Sequence, residues 1–229
     1  MEDPYSSESL ANGQAKDVLD VVRSHGLRLT LHAPYHDINI ASLKEPIRRA
    51  SVDILKHCIE VARQMDVDAL VVHTGKCPED QVARVELARE RMAASLFELA
   101  TFASDFGVRL GIENKQRASD RELILYPEEQ LEWVSALKDL GAFSVLDLGH
   151  ANTTGRSPVE YLDILWDTIG EIHLHDNRGT ADEHLPLGEG TLPLDSILKR
   201  ISEFDGTVIL ELKSLDALQE SAVLLTRFI

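Results

Sequence analysis

Six short apolar runs divide this chain, and each ends on, or is followed at once by, a residue able to ligate a metal ion. The runs are Leu27–His32, Asp68–His73, Val108–Glu113, Phe143–Asp147, Glu171–His175 and Thr207–Glu211. Each is short and rich in β-branched residues, and several are apolar enough to be buried on both faces, as strands of a parallel sheet are. Between them lie amphipathic stretches at 46–65, 79–106, 127–140, 158–169, 193–204 and 215–229. Pro46, Pro127, Pro158 and Pro193 fall near the starts of these stretches, where a missing N–H does no harm. Gly26, Gly107, Gly141, Gly170 and Gly206 each stand just before a strand, as helix C-caps or turn residues do. The repeating unit is helix, glycine turn, strand, loop, which means a parallel sheet with crossover helices. No linker or low-complexity tract interrupts it, so one α/β domain over 1–229 is expected.

The two ends of each strand differ in chemistry. The leading ends carry glycine and ordinary polar residues. The trailing ends carry His32, His73, Glu113, Asp147, His150, His173 and Glu211. In barrels and open α/β sheets the site lies at the C-terminal ends of the strands. Taken singly, a strand-end histidine is as simply explained by a hydrogen bond to a carbonyl. Glu113 is harder to dismiss, because a buried, unpaired carboxylate is costly and needs a cation or a proton. Asp147 and His150 stand three apart in Leu-Asp-Leu-Gly-His, so the chain can turn both into one cleft. His173 and His175, in Ile-His-Leu-His-Asp-Asn, share a strand face by the two-residue period. Asp182 and His184 lie in the loop that follows. Asp176 is read as a partner that orients an imidazole, and Glu189, between two glycines, as a turn residue. The set is carboxylate and imidazole without thiolate, which suits zinc, manganese, iron or cobalt.

Composition narrows the classes further. Hydrophobic residues make up 44% of the 229 positions, enough for a globular core. No run approaches the roughly 20 apolar residues of a membrane span, and the N-terminus has no secretion-signal pattern. Cys58 and Cys77 do not make a disulfide framework, and a reducing cytoplasm fits them. A formal net charge of −16 repels polyanions at long range and weighs against nucleic acid as a partner, although bound metal can reverse the sign inside a cleft.

At these residues the chain resembles the xylose isomerase-like barrel superfamily, which includes sugar-phosphate isomerases and epimerases and the endonuclease IV enzymes. The likeness runs from His32 to Glu211 and implies a TIM (β/α)8-type barrel. It implies a shared metal on Glu113, Asp147, His173 and Glu211, with Glu113 and Glu211 as paired acid and base in the epimerases. The endonuclease IV pattern implies up to three zinc ions on His32, His73, Glu113, Asp147, His150, His173, Asp182, His184 and Glu211. The flanking wording differs from that nuclease: Asp147-Leu148-Gly149-His150 and His175-Asp176-Asn177-Arg178 replace its segments, and an extra residue separates Tyr35 from Asn39. His-Leu-His-Asp-Asn and Leu-Gly-Glu-Gly look more like the isomerase and epimerase branch. The expected function is therefore a divalent-metal-dependent isomerase or epimerase of a small sugar or sugar phosphate, with zinc or manganese as cofactor. The alternative is a phosphoester hydrolase of the endonuclease IV kind. His32, Tyr35, His175, Arg178 and Lys213 are the expected substrate contacts. Because His32 resembles the family's third strand, Met1–Ser7 is read as the tail of the second. The first strand, the first helix and most of the second strand are then missing. That leaves sheet edges at Leu29–His32 and Val208–Glu211 open to pairing with another copy.

Overall fold

A computed structural model describes residues 15–77, 84–118 and 121–228. They fall into two compact units. The first holds the described residues up to Ile112 together with Leu137–Ala142, and the second holds Glu113–Ala136 and the chain from Phe143 onward. The expected Met1–Ser7 strand tail lies outside the described residues.

The first unit contains α1 (Ala15–Ser24), β1 (Leu31–His32), α2 (Glu45–Gln64), β2 (Ala69–Val72), α3 (Val85–Asp105) and most of β3 (Arg109–Glu113). β1 pairs with β2 and β2 with β3, both in parallel. The expected run from Leu27 yields only two strand residues. Leu31 sits opposite Leu70, so Leu27–Leu29 run past the start of β2. Helix α1 was not anticipated. Its run Val18-Leu19-Asp20-Val21-Val22 is rich in β-branched residues, which weakens the helical signal. Helices α2 and α3 are clamped by Glu98, which takes Arg49 and Lys56 at 2.7 Å each. Under them Arg48 donates to Ser95, which donates to the Ile40 carbonyl.

The second unit contains α4 (Pro127–Ala136), β4 (Phe143–Asp147), α5 (Leu148–Asn152), α6 (Pro158–Leu165), β5 (Ile169–Leu174), α7 (Leu194–Ile201), β6 (Thr207–Leu210) and α8 (Leu215–Leu225). Pro127 and Pro158 open their helices, as read from sequence, and Ser157 is the N-cap before Pro158. β4 pairs with β5 and β5 with β6, again in parallel, with Asp147 opposite His173 and His173 opposite Ile209. Leu146, Ile172 and Leu174 join Leu148, Tyr161, Leu162, Leu165, Ile197 and Leu198 in a core with no solvent contact or almost none. That core fixes the strand ends on which the polar residues stand. Among the described residues β1 pairs only with β2 and β6 only with β5, and six strands are found where a closed barrel of this kind has eight. No described helix is long and apolar enough to cross a membrane.

Candidate metal centre

The second unit gathers its strand-end residues into one polar cluster. Glu113 ends β3, Asp147 ends β4, His173 lies near the end of β5, and Glu211 follows β6. Ligating atoms of Glu113, Asp147 and His173 all lie within 4.8 Å of one another. His173 Nδ1 stands 3.1 Å from Glu211 Oε1 and 3.5 Å from Glu113 Oε1. Glu113, Asp147 and His173 are buried, while Glu211 keeps 27% of its side chain exposed. The parallel register explains the convergence, since Asp147 and His173 are direct partners across the β4–β5 ladder.

Two supports of this cluster were not read as site residues. Glu171 lies two residues before His173, on the same strand face. Its Oε1 accepts a hydrogen bond from His173 Nε2 at 2.8 Å, which fixes the tautomer and turns Nδ1 toward the two glutamates. The period that singled out His173 and His175 contained this signal as well. Asn114, fully buried, accepts from Asp147 N at 2.9 Å and donates to Asp147 O at 3.0 Å, tying the strand ends together. Lys115 was also missed. Burial lowers its ammonium pKa, against the pull of Glu113, Glu122, Asp147 and Asp182.

A second group adjoins the first. Asp147 caps α5 by accepting from His150 N at 2.6 Å. His150 Nδ1 donates to the Asn114 carbonyl at 2.9 Å, so Nε2 is its outward atom, 3.4 Å from Asp182 Oδ2. His184 Nδ1 donates to the Glu211 carbonyl at 2.8 Å and places Nε2 3.3 Å from Asp182 Oδ1. His175, expected to touch substrate, has no solvent contact. Its Nε2 lies 3.2 Å from Asp147 Oδ1 and 3.4 Å from Asp182 Oδ1, and its ring stacks on His184 at 3.9 Å. Gly149 makes room for it, because a Cβ at that position would overlap the His175 ring.

In the first unit, His73 follows β2 with its ring stacked on Tyr35 at 4.8 Å and edge-on to His32 at 4.9 Å. His32 Nδ1 donates to the Ala33 carbonyl at 2.7 Å. Asn39 holds the turn after His73 by accepting from Ala41 N and Lys76 N and donating to Lys76 O. Gly75 there has a φ of 80° and no room for a side chain beside Asn39.

Three readings of the surrounding loops change. Asp176 orients no imidazole: it accepts from the backbone N–H groups of Asn177, Gly188, Gly190 and Leu192 at 2.8–3.1 Å. Arg178 pairs with Glu183 at 2.5 Å, and Lys213 donates to the Glu183 carbonyl at 2.7 Å, so both hold the loop that carries Asp182. Glu189 is exposed on the turn, as expected.

The donor set fits a divalent cation. Two ligands at about 2.0–2.2 Å from a tetrahedral ion lie about 3.3–3.6 Å apart, and the carboxylate–imidazole separations here run from 3.1 to 3.5 Å. Where no cation balances the carboxylates, protons must. Burial opposes charge on His150, but Asp147, Asp182 and Glu113 push its pKa up to about 9. Burial also opposes charge on His173, and Glu113 and Glu171 raise it well above the ordinary range. Burial would raise the Asp147 carboxyl, yet His150 and His175 hold it down to about 2. Asp182 is lowered in the same way, with burial outweighed by His150 and His184. An imidazole must lose its proton to ligate, so zinc uptake should release protons. Zinc affinity of the metal-free chain should rise between pH 6 and pH 9, by about tenfold per pH unit for each proton displaced. Competition with a chromophoric chelator measures this, and an affinity flat over that range would contradict it.

Comparison with known proteins places this chain in a family. An uncharacterised protein of Methanocaldococcus jannaschii, MJ1311, is 32% identical over 215 residues, covering 91% of this chain and 73% of its own length. The crystal structure of a D-tagatose 3-epimerase-like protein matches with a TM-score of 0.89 at 30% identity, covering 96% of this chain and 84% of that one. A probable endonuclease 4 of Mycobacterium leprae (strain Br4923) is 26% identical over 199 residues, covering 84% of this chain and 75% of its own length. The family model described as the xylose isomerase-like TIM barrel matches residues 2–227, and the chain belongs to that family.

Proposed function

We propose that this protein is a divalent-metal-dependent isomerase or epimerase of a small sugar or sugar phosphate. One observation carries the reading: two carboxylates, Glu113 and Glu211, face the same nitrogen of His173, at 3.5 and 3.1 Å. Simple binding has no use for two facing acids, whereas moving a proton off and back onto carbon does. Glu113, Asp147, His173 and Glu211 would hold the cation, zinc or manganese by donor type. When bound, it supplies Lewis-acid polarisation of a substrate carbonyl, which acidifies the neighbouring C–H.

The chain's own residues divide the remaining work. Glu211, partly open to solvent, takes the proton from the substrate carbon and can exchange it with water. Glu113, buried and carrying a proton at the start of the cycle, donates it to the opposite face, so the two carboxyl groups exchange protonation states. Glu171 keeps the His173 ring from rotating, and Asn114 keeps the Asp147 strand end in register. The epimerase-like structural neighbour supports this chemical class.

A hydrolase reading has one observation in its favour, the second group in which three imidazoles surround Asp182. Clustered cations suit phosphoester hydrolysis. The experiment that separates the two offers ketoses and abasic-site DNA to the same preparation, with and without a chelator. Chelator-sensitive exchange of a substrate C–H with solvent is expected, without cleavage of the DNA. Cleavage of the DNA without exchange would replace this reading with the other.

A further inference from the structure

We propose that His175 is a positioning residue: its Nε2–H donates to the Asp147 carboxylate and holds that carboxylate in the orientation in which it meets a cation. The inference rests on the metal-dependent reading above. It takes His175 out of substrate contact and out of metal ligation.

His175 has no solvent contact, so a substrate does not reach it. Its ring fills the space that Gly149 leaves, where a Cβ would overlap it. One face stacks on His184, with ring centres 3.9 Å apart and planes 18° from parallel. Packing on both sides keeps the ring from turning over, so its two nitrogens have fixed and different surroundings. Nε2 faces carboxylate oxygens, with Asp147 Oδ1 at 3.2 Å, Asp147 Oδ2 at 3.3 Å and Asp182 Oδ1 at 3.4 Å. Nδ1 is buried and meets no hydrogen-bond partner among the described residues. These surroundings choose the tautomer, because a neutral imidazole carries one N–H and one lone pair. With the proton on Nδ1, a buried donor would lack an acceptor, and the Nε2 lone pair would oppose three carboxylate oxygens. With the proton on Nε2, the N–H meets an anion in a charge-assisted hydrogen bond. A protonated Nε2 has no lone pair to give a metal.

The task of this bond follows from the other ties on Asp147. Its backbone is pinned by Asn114 at both N and O. Its Oδ1 accepts from His150 N at 2.6 Å. A single side-chain tie leaves the carboxylate free to swing about Oδ1. His175 reaches both oxygens at nearly equal distance and so sets the plane of the group. A ligand already held by such a partner loses less freedom when the cation arrives. The period of β5 gives the same division of labour twice. Glu171, His173 and His175 stand two apart on one face. The middle residue is the candidate ligand, Glu171 orients it, and His175 orients Asp147 on the neighbouring strand.

The test titrates zinc into the metal-free full chain against a chromophoric chelator, in the unchanged protein, in His175→Phe and in His175→Gln. Phenylalanine keeps a ring to stack on His184 but removes the N–H. Zinc affinity in that variant should fall about ten- to a hundredfold, the usual cost of removing a ligand's outer partner. Glutamine carries an amide N–H near the place of Nε2 and should recover most of the loss. Elemental analysis at saturation should give the same zinc content for all three chains. Nitrogen NMR of the zinc-loaded unchanged protein should show a proton on His175 Nε2 and none on Nδ1, and it decides the assignment if a variant fails to fold. Unchanged affinity in His175→Phe would overturn the proposal, and so would an equal fall in both variants. One zinc fewer in both variants would make His175 a ligand and overturn it as well. None of these readouts uses turnover, so a failure of the isomerase reading leaves them intact. Absence of any zinc binding would overturn the metal reading, whereas zinc bound with the proton on Nδ1 would overturn this proposal alone.

Discussion

Glu211→Gln should lower turnover of a sugar substrate by about a thousandfold, within the range that a positioned general acid or base contributes. The substitution keeps the shape of the side chain and one carbonyl oxygen, but it removes the capacity to accept a proton. Glu211 is the more exposed of the two glutamates at His173, so substrate reaches it without rearrangement of the buried Glu113. The assay is steady-state kinetics at saturating metal, with zinc or manganese content measured on the same preparation. A loss in kcat at full metal occupancy assigns Glu211 to proton transfer. Activity within tenfold of the unchanged enzyme would remove Glu211 from that role.

Asp176→Ala should destabilise the folded chain by about 3–5 kcal/mol, although Asp176 touches no candidate ligand. Its carboxylate is buried and accepts four backbone N–H groups, from Asn177, Gly188, Gly190 and Leu192. Each buried donor left without an acceptor costs about 1–3 kcal/mol, and entering water recovers part of that. Gly190 shows how closely the turn wraps the carboxylate, because a Cβ there would overlap Asp176. A shift of the urea midpoint at constant slope measures the effect. A change below about 1 kcal/mol would mean that the 186–192 turn holds its shape without the carboxylate.

These two residues show what the sequence made legible. Glu211 was readable because the period of helix, glycine turn and strand marks the trailing end of each strand, and a carboxylate there has few structural uses. The same logic located Glu113, Asp147 and His173 in one cluster, and the parallel register brought them together. Asp176 was readable only as a polar residue beside histidines. Three of its four partners come from a turn twelve to sixteen residues away, and turn geometry of that kind leaves no periodic trace. Arg178 and Lys213 fared similarly. Both looked like anion holders, and the fold places Glu183 between them. His175 is an expected substrate contact from the sequence, whereas Gly149 lets its ring sink out of solvent. The strand runs themselves were all found, with ends set by register: Leu27 to Leu29 run past the start of β2, and β5 gained Ile169, which pairs with Ser144 of β4, and Gly170, which lies in the irregularity before the Val145–Glu171 pair.

The central claim is that the second unit's carboxylate pair moves a proton on a sugar carbon with the help of a cation. Incubation of the metal-loaded enzyme with ketoses in deuterium oxide, followed by mass spectrometry of the recovered sugars, tests it most directly. The recovered sugars should gain one deuterium beside the carbonyl, a gain abolished by chelation, restored by zinc or manganese, and absent in Glu211→Gln. Sugars recovered without deuterium from every member of the panel, alongside chelator-sensitive cleavage of abasic-site DNA, would contradict it.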